Sequence, residues 1–266
     1  MRVVDLDRDM SDVIPTGTTL DSEFLFERMT SATIELAHTG EGKHVLDVAS
    51  GFGQDALQIA ENGSYVIGCE PSLRMLAWAR LKGEEARKES GLQADWVQGW
   101  GDALPFATGS FDAAFCKGAL DHFDCPSDAI GEMARVTALD GRVVLAIANF
   151  ESLACRLARL LDNVREDWLG KPIRRGRRHY DVPADHFTRY ELKLMKEQMG
   201  RFVEIEEIRG VSLLWGFPKW TQSVGRLPKP VADRLLRVFD WIARKIPALA
   251  DVIILAGRPK LTTRSL

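Results

Sequence analysis

The sequence predicts an α/β fold with a Rossmann-like, doubly wound sheet of seven mostly parallel strands and an antiparallel edge strand. Between residues 43 and 149, short apolar runs alternate with helical patterns. The runs are apolar on both faces, which indicates strands of a parallel sheet covered by helices on both sides. Two later strand patterns, at 201–211 and 251–259, suit an antiparallel pair added at the sheet edge.

The elements of this domain follow one another in a regular order. Asp21 or Ser22 can cap a helix that runs to about His38. Five core strands are then predicted at 43–50, 64–70, 94–99, 111–117 and 141–149. The helices between them are predicted at 54–62, 73–90 and 126–136.

The pattern loosens after Asn149. A leucine stripe at 151–164 predicts a helix docked on an apolar surface, and 188–199 predicts another helix. Gly, Pro and Trp residues at 212–230 indicate a loop or a cap. A further apolar stripe predicts a core-facing helix from Val231 to Ile246. Its apolar residues are Val231, Leu235, Val238, Phe239, Ile242 and Ile246.

The composition excludes several classes of function. A formal net charge of -3 over 266 residues gives no general attraction to nucleic acid. The four cysteines are scattered and no histidine lies at metal-ligand spacing from them, so we expect reduced thiols and no metal site. No apolar run reaches the ~18 residues of a membrane span, and the first residues lack the pattern of a secretion signal. We therefore expect a soluble, cytoplasmic protein.

Acids and glycines at the predicted strand ends are the first feature with chemical meaning. Asp47 ends the first strand, and Gly51 and Gly53 let the backbone turn tightly and approach a ligand closely. Glu70 ends the second strand, where a carboxylate can accept hydrogen bonds from both hydroxyls of a ribose. Asp102 follows the third strand, where a carboxylate can accept a hydrogen bond from the exocyclic amine of an adenine. Together these residues predict a nucleoside site.

This constellation resembles the class I S-adenosylmethionine-dependent methyltransferases, especially the branch with the ubiquinone and menaquinone biosynthesis C-methyltransferases. The resemblance is densest over residues 45–148. It implies S-adenosyl-L-methionine as the cofactor, with the glycine turn around its methionine part and the acids on its ribose and adenine. The cofactor-binding residues implied by the resemblance are Asp47, Ala49, Gly51, Gly53, Glu70, Pro71, Asp102, Ala103 and Lys117.

Two departures from the family pattern leave alternatives open. Ala49 stands where the family usually has the first glycine of its motif, and 138–141 lacks the common Lys-Pro-Gly-Gly turn. A protein that binds S-adenosylmethionine without methyl transfer is therefore one alternative. Because the glycines and Glu70 also fit a dinucleotide site, an NAD-dependent oxidoreductase is another.

Histidines supply the candidate catalytic groups. His122 follows the fourth strand, at the carboxyl edge of the sheet where ligands bind, and is the first candidate for a general base. The adjacent Asp121 can orient its ring or face water. His179, Tyr180 and His186 form a second candidate group after the fifth strand.

The late part of the chain points to the acceptor. Trp168, Trp215, Trp220 and Trp241 fall there, which predicts a bulky apolar pocket for a small aromatic, isoprenoid or acyl acceptor. The basic run at 171–178 suits a solvated loop or a clamp for a carboxylate or phosphate on the acceptor. RNA binding is a third interpretation, although no recognised RNA-binding module accompanies the run.

Trp241 and the arginines of the last helix also allow a peripheral membrane contact. The expected organisation is one methyltransferase domain over residues 1–266. It comprises an N-terminal helical segment at 1–40, a cofactor-binding half at 41–149, and acceptor-side cap insertions at 150–200 and 212–250. The acceptor atom and the oligomeric state are not predicted.

Overall fold

The computed structural model describes residues 19–170, 178, 180–182, 186–217 and 219–261. In this part of the chain one sheet of seven strands has the order β3-β2-β1-β4-β5-β7-β6. The strands are β1 (His44–Val48), β2 (Tyr65–Glu70), β3 (Ala94–Gln98), β4 (Phe111–Lys117), β5 (Thr137–Ala148), β6 (Val203–Val211) and β7 (Val252–Pro259). The predicted fold class is confirmed.

Helices cover both faces of this sheet. The α-helices are α1 (Leu20–Leu36), α2 (Gln54–Ala60), α3 (Leu73–Ser90), α4 (Pro126–Val136), α5 (Leu153–Asn163), α6 (Leu192–Met199), α7 (Trp220–Gly225) and α8 (Lys229–Lys245). Short 3-10 turns lie at Leu120–His122 and Pro247–Leu249, and a π turn at Val164–Trp168 follows α5. Among the described helices, none is both long enough and apolar enough to cross a membrane.

The strand order places a ligand crevice at a defined point. Strands β1 to β5 are parallel, and the order reverses between β1 and β4, which pair directly. In doubly wound sheets, ligands bind outside the carboxyl ends of the strands at such a reversal. The loops that follow β1, β2, β3 and β4 therefore meet at one edge.

The two late strands extend the sheet beyond β5. Strand β7 is antiparallel to both of its neighbours, β5 and β6, so the antiparallel strand lies one place inside the edge. Burial explains this order, because β7 is buried on both faces over Val252–Ala256 whereas β6 is partly exposed along much of its length. The half-exposed strand suits the edge position.

Two apolar clusters hold the helices to opposite faces of the sheet. On one face, Leu25 and Met29 of α1 and Ile59 of α2 pack against inward-facing residues such as Phe115 and Val144. On the other face, α4 and α6 pack against the alternate residues of the same strands. Because successive strand residues point to opposite faces, each central strand contributes to both clusters.

Strand β5 begins earlier than the sequence predicts. Residues 138–141, expected to form a turn, belong to the strand, which shifts register against β4 at Phe111 and Ala113. Gly141 permits this arrangement, because a Cβ there would lie 2.5 Å from the carbonyl oxygen of Asp112. The irregular pairing replaces the expected turn.

The cap helices differ from their predicted packing. In α5 the buried residues are Ala154, Cys155 and Ala158, whereas Leu160 and Leu161 are more than half exposed. The leucine stripe is therefore not docked along its length, since the helix packs through its small residues.

The last helix is rotated in the same way. In α8, Ala232 and Leu236 are buried, whereas Val231 and Val238 are about half exposed, as is Ile246 directly after the helix. The expected core-facing stripe was wrong for these three exposed residues.

Two boundaries in the cap also differ from prediction. Helix α6 begins at Leu192, since residues 186–191 form neither helix nor strand, and α7 lies within the segment expected to be a loop.

A slot lined by glycines receives Trp96 of β3. A Cβ on Gly68 would lie 2.5 Å from the indole carbons, and one on Gly83 of α3 would lie 2.8 Å from its Nε1. Gly53 also borders the ring. Trp96 thus packs behind the turn that follows β1, and the bulk of its indole excludes side chains at three positions.

Gly68→Ala is expected to lower the free energy of unfolding by about 1–3 kcal/mol, because the added methyl group overpacks the slot. Urea unfolding of the purified protein measures this change. Gly40→Ala is the matched control, since a Cβ there meets no atom within 4 Å. Equal stability of the two variants would contradict the packing described here.

Candidate active site

The turn after β1 contains three residues in the left-handed backbone region. The φ angles are 59° at Ala49, 55° at Gly51 and 81° at Gly53. The amide of Ala49 donates to the carbonyl oxygen of Cys69 at 2.8 Å, which ties the turn to β2. Glycine adopts these angles freely, but alanine is strained in them.

Glu70 fixes the turn from the end of β2. Its Oε2 accepts a hydrogen bond from the amide of Gly51 at 3.0 Å, and its Oε1 accepts one from the amide of Ser72 at 3.0 Å. The side chain is buried, and burial raises the pKa of its carboxyl group while the two amides lower it. Each carboxylate oxygen keeps a second lone pair for a ligand hydroxyl.

Asp47 is a buried acid behind the same turn. Burial, followed by the charge of Asp55, raises the pKa of Asp47 well above its usual range, and Lys117 opposes that shift. Asp47 Oδ2 and Ser50 Oγ are buried without a hydrogen-bond partner among the described residues. Unpaired buried polar atoms are costly, so a polar ligand bound here would stabilise them.

Lys117 closes the crevice at the end of β4. Its Nζ lies 2.7 Å from Asp55 Oδ2 and donates to Thr30 Oγ1 at 2.6 Å. The ammonium group therefore joins β4 to α1 and α2. Sequence analysis missed Thr30, Asp55 and Ser50; the only signal was that Ser50 and Asp55 flank the glycine turn.

The loop after β3 carries the predicted adenine-side residues. Asp102 is half-buried, and Ala103 is exposed with its amide donating to the carbonyl oxygen of Trp100 at 3.1 Å. Pro71 is half-buried, and its carbonyl oxygen accepts from Gln98 at 3.1 Å. These residues follow β2 and β3, which are adjacent to β1 in the sheet. Their predicted cofactor contacts remain predictions.

The two histidine groups of the sequence analysis converge. Asp121 is buried, and its Oδ2 lies 2.7 Å from His186 Nδ1, while its Oδ1 lies 3.9 Å from His122 Nε2. The rings of His122 and His186 meet edge to face, with centroids 4.3 Å apart. The structure thus joins the first catalytic candidate to a member of the second group, which the sequence left separate.

Other members of the predicted groups do not join this cluster. Tyr180 donates to Asp162 at 3.1 Å and accepts from Arg178 at 3.0 Å, so it belongs to a separate polar contact with α5. His179 and four cations of the basic run lie outside the described residues. Those cations are Lys171, Arg174, Arg175 and Arg177.

Comparison with known families identifies the class of this crevice. A family profile described as "Methyltransferase domain" matches residues 46–145, which include most of β1, all of β2 to β4, most of β5 and the turn held by Glu70. This part of the chain resembles a class I S-adenosylmethionine-dependent methyltransferase domain. The family resemblance predicted from the sequence is confirmed, and it implies S-adenosylmethionine as the cofactor of the crevice.

Two curated relatives match part of this chain. The demethylmenaquinone methyltransferase of Thermus thermophilus is 38% identical over 42% of this chain and 50% of its own length. The ubiquinone biosynthesis O-methyltransferase of Xanthomonas oryzae pv. oryzae is 32% identical over 56% of this chain and 58% of its own length. The chain thus spans about half the length of the curated relatives it matches.

Solved structures agree on the fold. A putative methyltransferase from Bacillus halodurans covers 86% of this chain and 97% of its own, with a TM-score of 0.54 and 19% sequence identity. At this identity the likeness concerns the fold alone. It extends beyond the methyltransferase domain match to most of the added elements.

Ala49→Gly is expected to raise the free energy of unfolding by about 0.5–1 kcal/mol. A left-handed residue with a Cβ costs about 1–2 kcal/mol, and the greater freedom of glycine in the unfolded chain offsets part of the gain. Urea unfolding measures the difference.

Ala37→Gly serves as the contrasting control for this prediction. Ala37 is buried with a φ of -76°, so glycine there relieves no strain and should destabilise the protein. A loss of stability in Ala49→Gly as well would show that the backbone angle does not strain this turn.

Proposed function

We propose that the protein transfers a methyl group from S-adenosylmethionine to a small organic acceptor. The observation that carries the proposal is the Glu70 carboxylate held against the glycine turn, where β1 and β2 end side by side. A buried acid in this place can accept the two hydroxyl groups of a ribose. The proposal concerns the whole chain, whereas the family match concerns its cofactor-binding half.

The residues in the crevice suit the cofactor that the family implies. Asp47 Oδ2 and Ser50 Oγ provide buried, unpartnered acceptors for the methionine end. Glu70 would hold the ribose, with Pro71 beside it, and Asp102 with Ala103 would hold the adenine. The turn at Ala49, Gly51 and Gly53 and the nearby Lys117 would complete the contacts, as predicted from the sequence.

The work left to the protein is mainly positioning. When bound, S-adenosylmethionine supplies an activated methyl group on a sulfonium. The chain's own residues hold the acceptor beside it and exclude water, and such orientation can contribute up to about 7–11 kcal/mol to a barrier. His122 is exposed enough to meet an acceptor and lies at the same edge of the sheet, so it is proposed among the catalytic residues.

A hydroxylated aromatic ring is the proposed acceptor class. The two curated relatives are named for steps on menaquinone and ubiquinone precursors. The late tryptophans do not form the expected common pocket, since Trp168 is 85% exposed and Trp241 61% exposed. Whether oxygen, carbon or nitrogen receives the methyl group is a question for product analysis. Incubation with catechol or reduced 1,4-naphthoquinone, with release of S-adenosylhomocysteine as readout, tests this class.

Glu70→Ala is expected to weaken S-adenosylmethionine binding at least tenfold, because the ribose loses its acceptor. Isothermal titration calorimetry measures the affinity, and Glu89→Ala on the exposed end of α3 is the control. Asp102→Ala should weaken binding similarly through the adenine. Far-ultraviolet circular dichroism of Glu70→Ala checks that the turn still folds.

Three results would redirect the proposal. An unchanged affinity in Glu70→Ala would remove this residue from the ribose contact. Tight NADH binding without S-adenosylmethionine binding would favour an oxidoreductase. Cofactor binding without S-adenosylhomocysteine release from any acceptor would favour a protein that binds the nucleoside for another purpose.

We also propose that the outer face of α8 contacts anionic membranes. Trp241 is 61% exposed, and Val231 and Val238 are about half exposed beside it. Exposed cations follow the same helix, whereas its two acids, Asp233 and Asp240, are half-buried and buried. An exposed helix face with a tryptophan and several cations is complementary to an interface with negative headgroups. The exposed cations are Arg234, Arg237, Arg244 and Lys245.

Trp241→Ser is expected to reduce co-sedimentation with phosphatidylcholine vesicles that contain phosphatidylglycerol at least threefold. Vesicles of phosphatidylcholine alone should bind the protein weakly, because the cations then lack a partner. Leu81→Ser, at an equally exposed position of α3, is the matched control. Equal loss in both variants, or binding that ignores phosphatidylglycerol, would rule out α8 as the contact.

A further inference from the structure

The Asp121, His122 and His186 cluster has a geometry that the cofactor site does not explain. Asp121 is 2% exposed at the floor of the cluster. His186, whose side chain is 19% exposed, lies above it, and His122, at 41%, lies nearer to solvent. Solvent exposure therefore increases from the buried acid to the two imidazoles, which a ligand can reach.

Two distant segments build this cluster. Asp121 and His122 follow β4, and His186 precedes α6. The amides of Phe187 and Thr188 both donate to the carbonyl oxygen of Asp121, at 2.8 and 3.3 Å. This docking holds His186 at the carboxyl edge of the sheet, on the side of β4 and β5, where its ring also meets Phe150 with centroids 6.1 Å apart.

The contact with Asp121 favours one tautomer of His186. A carboxylate oxygen lies 2.7 Å from Nδ1 without meeting it in hydrogen-bond geometry. A proton on Nδ1 of the neutral ring would face this negative charge, and Nε2 would then be the proton acceptor. A buried carboxylate at this place also stabilises the imidazolium that forms when Nε2 takes a proton. His122 has a longer contact with Asp121 and is less well oriented.

The surroundings leave His186 as the group that exchanges protons. Among the described residues, its titratable contacts are Asp121 and His122, and its third contact, Phe150, is apolar. Burial first, and the charge of Asp121 with it, raises the pKa of both Cys116 and Tyr190. These two groups therefore stay neutral near Asp121.

We propose that His186, oriented by Asp121, is the general base that removes a proton from a phenolic hydroxyl of the acceptor. The proton of the O–H group moves to Nε2 of His186, and the electron pair of that bond stays on the oxygen. The products of this step are a phenolate and an imidazolium paired with Asp121. The phenolate oxygen is then the nucleophile toward the methyl group. This inference rests on the proposed function and identifies its acceptor class as a phenol.

The decisive variant is His186→Asn. An asparagine amide can still donate to Asp121 from the place of Nδ1, so a purely structural contact survives, but it cannot take a proton. We expect kcat with catechol to fall by about 10²–10⁴-fold with KM within about threefold, and the low-pH limb of the rate profile to disappear. His44→Asn is the matched control, since His44 is stacked on Tyr65 at the start of β1, away from the crevice, and its kcat and KM should be unchanged.

A second measurement needs neither turnover nor cofactor. 4-Nitrocatechol changes colour when its hydroxyl ionises, so its absorbance reports the state of the bound phenol. The probe bound to wild-type protein is expected to ionise at a lower pH than the probe free in solution. His186→Asn should abolish this difference. In wild-type protein, nitrogen NMR should show one imidazole gaining a proton when the probe binds, a readout that does not depend on the stability of any variant.

Each contrary outcome has a definite meaning. Full activity or an unshifted probe in His186→Asn would overturn the assignment of the base, and failure of the probe to bind would overturn the phenolic acceptor class. Loss of the shift on adding EDTA, with recovery on adding Mg²⁺ or Zn²⁺, would assign the ionisation to a metal ion instead. If the probe ionises but calorimetry detects no S-adenosylmethionine binding, the proposed function fails and the proton acceptor stands.

Discussion

The hydrogen bond from the Gly51 amide to the Glu70 carboxylate is the interaction on which the crevice depends. It connects the turn after β1 to the last residue of β2, so the two strand ends are held in one geometry. Removing a carboxylate from water costs several kcal/mol, and two backbone amides offset part of this cost. The turn also lies against Trp96, whose indole occupies the space that side chains at Gly53, Gly68 and Gly83 would need. The indole of Trp96 and the carboxylate of Glu70 thus hold the turn after β1 from opposite sides.

Much of the cofactor-binding half was predictable because its signals are local. The apolar runs before Gly51 and up to Glu70 are short and continuous, and each is followed by helical periodicity. This pattern indicates strands of a parallel sheet. Acids at strand ends are visible in the sequence for the same reason. The partners of Lys117 were not predictable, since Thr30 and Asp55 reach it from α1 and α2 only after the helices pack on the sheet.

The segments predicted to be cap insertions were less predictable, because their helices pack against the protein through small residues. Ala154 and Ala158 face inward in α5, and the larger Leu160 and Leu161 reach solvent, so periodicity alone gave the wrong side. The meeting of His186 with Asp121 depends on a segment about 65 residues further along the chain returning to the loop after β4. No local sequence pattern predicts this contact between distant segments.

The ammonium group of Lys117 has a kinetic consequence. Its contact with Thr30 fastens α1 to the end of β4, and its contact with Asp55 fastens α2, beside the turn after β1. Hydrogen bonds to charged groups contribute about 1.5–3 kcal/mol each, so lifting α1 would slow by roughly tenfold or more for each contact that must break first. If a nucleoside leaves along this side, the contact between Lys117 and Thr30 would slow its departure.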